Sequence, residues 1–132
     1  MYRLLFFALI FITGCSDSGT SKSDPLESGR EFIESSLKGD YDEAKKYMLS
    51  DSLNLDYFNK LVEFYNRSSE EDKTGYKNAN IIINGDGIEH VSDSVTIIHY
   101  SNSFKNKPSK IKMVKKSNEW LVDFKYTFSG NL

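Results

Sequence analysis

The stretch Ser109-Lys110-Ile111-Lys112-Met113-Val114-Lys115-Lys116-Ser117-Asn118-Glu119-Trp120-Leu121-Val122-Asp123-Phe124-Lys125-Tyr126-Thr127-Phe128 decides the fold. Its apolar residues recur with a period of two, the period of a half-buried strand. Over Ser109 to Lys116, Ile111 and Met113 fall on one face and Lys110, Lys112 and Lys116 on the other. Over Trp120 to Phe128, Trp120, Val122, Phe124, Tyr126 and Phe128 share a face opposite Leu121, Asp123, Lys125 and Thr127. The turn Ser117-Asn118-Glu119 is so short that the two strands must be antiparallel neighbours.

The same pattern extends upstream. Val95 to Phe104 reads as a strand between the turns Ser92-Asp93-Ser94 and Lys105-Asn106-Lys107-Pro108. Ile81-Ile82-Ile83 opens another strand, which Asn84-Gly85-Asp86-Gly87 interrupts before Ile88-Glu89-His90-Val91 resumes it. A bulge in one long strand accounts for the interruption. A tight hairpin is the alternative, because Asn-Gly and Asp-Gly are both hairpin signals.

Before Tyr76 the period is 3.6. Asp24 caps a helix that has Pro25 at its first position and Glu27 at the third, and Gly39 ends it. Leu26, Ile33 and Leu37, with Phe32 beside them, form its apolar stripe. Asp40 and Glu43 start a short second helix, whose buried side is Tyr41, Ala44, Tyr47 and Met48. Ser50-Asp51-Ser52 breaks it. Asn54 is the expected cap of a third helix, with Leu53 and Phe58 at the spacing of a hydrophobic staple. Leu55, Phe58, Leu61, Val62 and Tyr65 continue its apolar face. Asn66 to Gly75 reads as a loop with one helical turn at Glu70-Glu71. The expected fold is α+β: amino-terminal helices packed on a curved antiparallel sheet of about four strands, in one domain from Pro25 to Leu132.

The 132 residues suit one small domain and exclude a dinucleotide fold with a separate substrate domain. A single cysteine excludes a disulfide framework and a cysteine-based zinc site. The formal charge of −2 argues against nucleic acid as a partner.

Residues Met1 to Gly14 carry a different signal. Arg3 precedes the apolar run Leu4 to Ile12, which is too short to cross a bilayer core of about 30 Å but suits the apolar region of a secretory signal. Ile12-Thr13-Gly14-Cys15 then resembles the lipobox of bacterial lipoproteins. The resemblance implies cleavage between Gly14 and Cys15, a diacylglyceryl group on the sulfur and an acylated new amino terminus. Several acyl chains hold a protein to a bilayer stably where one holds only marginally. Ser16 to Asp24 lack apolar residues and read as a flexible tether, with a typical span of roughly 15–18 Å.

The folded part resembles the nuclear-transport-factor-2-like superfamily of cone-shaped α+β domains. More narrowly, it resembles small lipoproteins of Gram-negative bacteria that carry such a domain. The resemblance rests on Glu31 to Ala44 with its Gly39-Asp40-Tyr41 junction, the glycine-containing first strand, Asp93-Ser94-Val95-Thr96-Ile97, and Lys115 to Asp123. A cystatin-like fold, one helix on an antiparallel sheet, is the alternative. The superfamily includes isomerases, cyclases, dehydratases and binding proteins, so fold alone selects no activity.

Superfamily enzymes place a carboxylate or a histidine–aspartate pair inside the cone. Here His90 lies near a turn, and His99 shares a strand face with Val95 and Ile97. Asp123 is expected to face away from the aromatic layer, which disfavours it as a desolvated base. Two histidines nine residues apart make no metal site, and Asp86, Glu89 and Asp93 lack calcium-loop spacing. The run Lys105, Lys107, Lys110, Lys112, Lys115 and Lys116 reads as protection of an exposed strand, with an acidic partner or lipid headgroups as the alternative. Tyr57 and Tyr76 fall off the core periods and read as surface contacts. His99, Tyr100, Trp120 and Tyr126 are the candidates for an aromatic-lined pocket. No catalytic residue, metal ligand or cofactor is assigned.

The sequence therefore favours a lipid-anchored, non-catalytic binding module of the bacterial envelope, held at the outer membrane through Cys15. An envelope protein or a small apolar ligand is the expected partner. A cone-fold isomerase or hydrolase using His99 or Asp123, and a structural subunit of an envelope assembly, are the alternatives. Cys15→Ala is expected to move the protein from the membrane to the soluble fraction and to abolish labelling by a clickable palmitate, with the fold intact. Unchanged fractionation would refute the anchor.

Overall fold

A computed structural model describes residues 21–128. Gly14 and Cys15, most of the tether and the four carboxy-terminal residues lie outside the described residues. Four helices precede four strands: α1 Pro25–Lys38, α2 Tyr41–Lys45, α3 Ser52–Arg67, α4 Glu70–Lys77, β1 Ile81–Ser92, β2 Val95–Asn102, β3 Ser109–Lys116 and β4 Glu119–Asp123. A 3₁₀ helix, Phe124–Phe128, follows β4. The strands form one antiparallel sheet in the order β1-β2-β3-β4. The protein is thus α+β, with the helices on one face of a meander.

Carboxylate caps start the first three helices. The side chains of Asp24, Asp40 and Asp51 accept from the backbone N–H groups of Glu27, Glu43 and Asn54. Gly39 ends α1 at a φ of 77°, the left-handed conformation that suits glycine, and its N–H bonds back to α1. At Gly29, α1 comes close to the sheet. A Cβ there would stand 2.7 Å from Ile98 Cδ1 and 3.2 Å from Ile111 Cδ1. Ile98, Ile111, Met113 and Val122 are fully buried beneath the helices, together with Phe32 and Phe58.

β1 is one long strand whose register with β2 slips between Ile83 and Ile88. The interruption is therefore a bulge rather than a hairpin. Gly87 sits buried inside it, where a Cβ would meet the carbonyl oxygens of Asn84 and His99 at 2.7 Å. The outer edge of β4 is covered. Met48 bridges Val122, Val122 N–H donates to the Tyr47 carbonyl, and Trp120 N–H donates to the Lys22 carbonyl. Lys22, ahead of Pro25, is thus already in contact with the domain.

Four local expectations need correction. First, α3 is capped by Asp51 rather than Asn54, and Leu53 is too exposed to act as a staple. Second, much of the stretch read as a loop is helical, because Ser69 caps α4 by accepting from Asp72 N–H. Its periodicity was hidden because α4 has no fully buried residue. Third, β2 ends at Asn102, whose side-chain oxygen accepts from Phe104 and Lys105 N–H and turns the chain.

Fourth, β4 stops at Asp123 instead of running to Phe128. Asn54 explains where it stops. Its side chain is fully buried and fully paired: Nδ2 donates to Asp51 Oδ2 at 2.6 Å and Asp123 Oδ1 at 3.1 Å, and Oδ1 accepts from Lys125 N–H at 2.8 Å. Lys125 Nζ donates to the same Asp123 oxygen, and Lys112 Nζ lies 3.8 Å from the other. Asp123 faces away from Trp120 as expected, yet it is buried within this ionic cluster. Holding Lys125 N–H toward α3 removes it from a strand ladder, and the chain coils. Phe124 and Phe128 then meet edge to face, at 5.1 Å between ring centroids.

Asn54→Ala is expected to lower the unfolding free energy in urea by about 2–3 kcal/mol, because Lys125 N–H and an Asp123 oxygen lose a buried partner. The side-chain and backbone bonds from Asn54 hold the Asp51 carboxyl below its ordinary value of 3.8. A lowered folded pKa contributes stability above that value and loses it as the pH falls. The acid-side loss of stability below about pH 4 is therefore expected to be shallower in Asn54→Ala than in the native protein.

Candidate functional site

The helical layer does not seal against the sheet everywhere. Between α1, α3, the ends of β2 and β3 and the 3₁₀ helix lies a pocket of about 340 Å³. Phe32, Ile33 and Leu37 reach it from α1, and Leu61, Phe64 and Tyr65 from α3. Tyr100 and Ser109 reach it from the sheet, and Phe124, Thr127 and Phe128 from the 3₁₀ helix. Ser36, Tyr41, Tyr76, Asn102 and the β2–β3 loop residues Lys105, Lys107 and Pro108 complete it. Phe124 and Phe128 form this wall from the 3₁₀ helix into which the chain coils after Asp123.

The mouth is built by docking the β2–β3 loop on α4. Phe104 lies over Gly75, where a Cβ would come within 2.4 Å of its ring. Phe104 also packs edge-on to Tyr76 at 5.1 Å. Lys105 Nζ pairs with Asp72 Oδ1 at 3.1 Å. An α4 helix with no fully buried residue is held by these contacts and by its packing on α1.

Four tyrosines line the pocket, Tyr41, Tyr65, Tyr76 and Tyr100, and burial acts on two of them. Burial pushes the hydroxyl of Tyr41 well above its ordinary range, and the neighbouring Tyr65 adds to the effect. Burial also raises Tyr100, with a hydrogen bond to Ser109 opposing the shift. Both stay protonated at neutral pH. The Tyr41 hydroxyl is buried without a protein partner. Its ring stands edge-on to Phe58 and Tyr65 at 5.7 and 5.5 Å. Among the described residues the lining contains no carboxylate, imidazole or thiol.

Of the four residues read as pocket candidates, Tyr100 lines this pocket, whereas His99, Trp120 and Tyr126 do not. His99 is half exposed, with Nε2 3.6 Å from Glu89 Oε2. Neither belongs to the pocket lining. Trp120 is buried in β4 with Lys115 over its ring at 6.0 Å. Tyr126 lies under the ammonium groups of Lys110 and Lys112 at 5.3 and 5.7 Å. His90 Nδ1 is 3.3 Å from Thr96 Oγ1. Asp123 belongs to the Asn54 cluster. Asp86, Glu89 and Asp93 form no metal-binding group, and none is found among the described residues.

The lysine run divides. Lys105 and Lys107 stand at the pocket, while Lys110, Lys112 and Lys115 cover aromatic rings elsewhere. Tyr57 and Tyr76, read as surface contacts, are half-buried in aromatic pairs; Tyr57 stacks on Phe128 at 5.2 Å. Sequence reading missed Tyr41, Phe64 and Lys107 as site residues. They come from three separate elements, and no local spacing links them. The comparisons with known proteins give no family model, no curated protein and no solved structure that matches the chain. Among the described residues no helix is long and apolar enough to cross a membrane.

Tyr41→Phe removes a buried hydroxyl that lacks a protein partner. It is expected to leave the unfolding free energy unchanged or raise it by about 1 kcal/mol in urea titration. A loss of more than about 1 kcal/mol would show that the hydroxyl is paired in the native protein.

Proposed function

We propose that this protein is a lipid-anchored lipoprotein of the bacterial envelope whose domain binds a small, largely apolar ligand without transforming it. The observation that carries the reading is the pocket: a concave, aromatic-lined space of about 340 Å³ whose surface is mainly apolar. Such pockets are the usual sites of small-molecule binding. Aromatic walls offer large apolar area at low conformational cost. General acid–base chemistry would call for a group that titrates near neutral pH within reach of the ligand. The lining supplies phenols and lysines, which supports binding over turnover.

The anchor rests on Arg3, the apolar run and Gly14-Cys15, and it would keep the domain within a tether's length of a bilayer. The layout of helices over an antiparallel sheet with a bulged first strand supports a nuclear-transport-factor-2-like cone as the finer description of the fold. An outer-membrane location in a Gram-negative cell is part of the same reading.

Nile red, a neutral apolar dye, is expected to bind the native chain saturably with a rise in fluorescence. Leu61→Trp, which fills the pocket from α3, is expected to weaken that binding by about tenfold or more with an unchanged circular dichroism spectrum. Equal dye binding by both proteins would refute the pocket as the site.

A further inference from the structure

The pocket lining carries two ammonium groups, Lys105 and Lys107, and no carboxylate. Lys105 is paired with Asp72, and Lys73, whose ammonium lies 5.7 Å from the Tyr65 ring, is paired with Glu70 at 3.2 Å. Lys107 is exposed and, among the described residues, has no ion-pair partner. Asp72 and Glu71 both act on Lys105, so the lining's unpaired charge is that of Lys107, above a wall that lacks carboxylates. Below it the surroundings are apolar. A space of about 340 Å³, filled at the ~0.74 packing density of protein interiors, takes about 15 non-hydrogen atoms.

We infer that the pocket receives an amphipathic monoanion, its acidic group held at the mouth by Lys107 beside Lys105 and its apolar body packed among Phe32, Leu61 and Phe124. This rests on the binding reading above and narrows it to a ligand class. A neutral apolar molecule would gain nothing from Lys107. An amphipathic cation would meet repulsion there. A small inorganic anion would leave the aromatic wall unused and keep its own hydration. An amphipathic acid satisfies both halves: its charge stays at the wet end, where desolvation costs least, and its body leaves water. The lysine stems can lie along the apolar rim while their ammonium groups reach the acid. The attraction is between exposed charges, so salt screens it.

Displacement of Nile red from the mature chain by decanoate, decanol and decylammonium tests this. Decanoate is expected to compete at about fivefold lower concentration than decanol, the size of one exposed charge contact, with decylammonium weakest. Lys107→Gln, which breaks no ion pair among the described residues, is expected to bring decanoate close to decanol and to change decanol far less. Salt at about 0.5 M is expected to do the same. Dye binding with decanoate no better than decanol, or with decanoate indifferent to Lys107→Gln, overturns the ligand class and leaves the binding reading standing. Failure of the dye itself to bind overturns both.

Discussion

One buried amide organises the carboxy-terminal half of this domain. Asn54 uses both N–H groups and its oxygen, so each of its polar atoms is paired in the interior. It ties the cap of α3 to the last strand residue, Asp123, and to the first turn after it. Without a donor and acceptor at that point, the Asp123 carboxylate would lie buried with lysines alone, and Lys125 N–H would be free to continue the ladder. The strand's end, the coiling of Phe124–Phe128 and the seating of α3 are consequences of the same three bonds.

The pocket is a second consequence. A meander covered by helices tends to fill its interior, because aromatic side chains pack to crystal-like density. Here Phe124 and Phe128 leave the sheet and stand as a wall. The β2–β3 loop is drawn to α4 by the Phe104–Gly75 contact and the Lys105–Asp72 pair, which leaves space between α1, α3 and the sheet end. Gly75 matters because any larger residue would push the loop away. Gly29 does the opposite: it lets α1 settle on Ile98 and Ile111 and closes the other end of the layer. The domain is thus tight where α1 crosses the sheet and open where the loop docks.

Function in such a domain depends on what lines the open end. The histidine–carboxylate pair, His99 and Glu89, is half exposed to water and lies outside the pocket lining. The pocket holds Tyr41 and Tyr100, which burial keeps protonated, and lysines at the rim. The proposed binding function draws on that enclosed, mainly apolar space.

The sequence by itself determined the α+β order, the antiparallel meander, the Asp24 and Asp40 caps, the Gly39 stop and the bulge. Each follows from interactions between residues a few positions apart, where periodicity and capping chemistry act directly. The sequence alone also supplies the lipobox-like Gly14-Cys15. The tertiary structure decided the rest: that Asn54 is a buried hub rather than a cap, that Asp123 ends its strand, and that α4 forms with no fully buried residue. It also decided that Tyr41, Phe64, Tyr100 and Lys107 converge. These depend on contacts between residues far apart in the chain, such as Asn54 with Asp123 and Gly75 with Phe104. Such contacts leave no spacing in the sequence, because the energy that selects them arises only when distant segments bury surface and polar groups together.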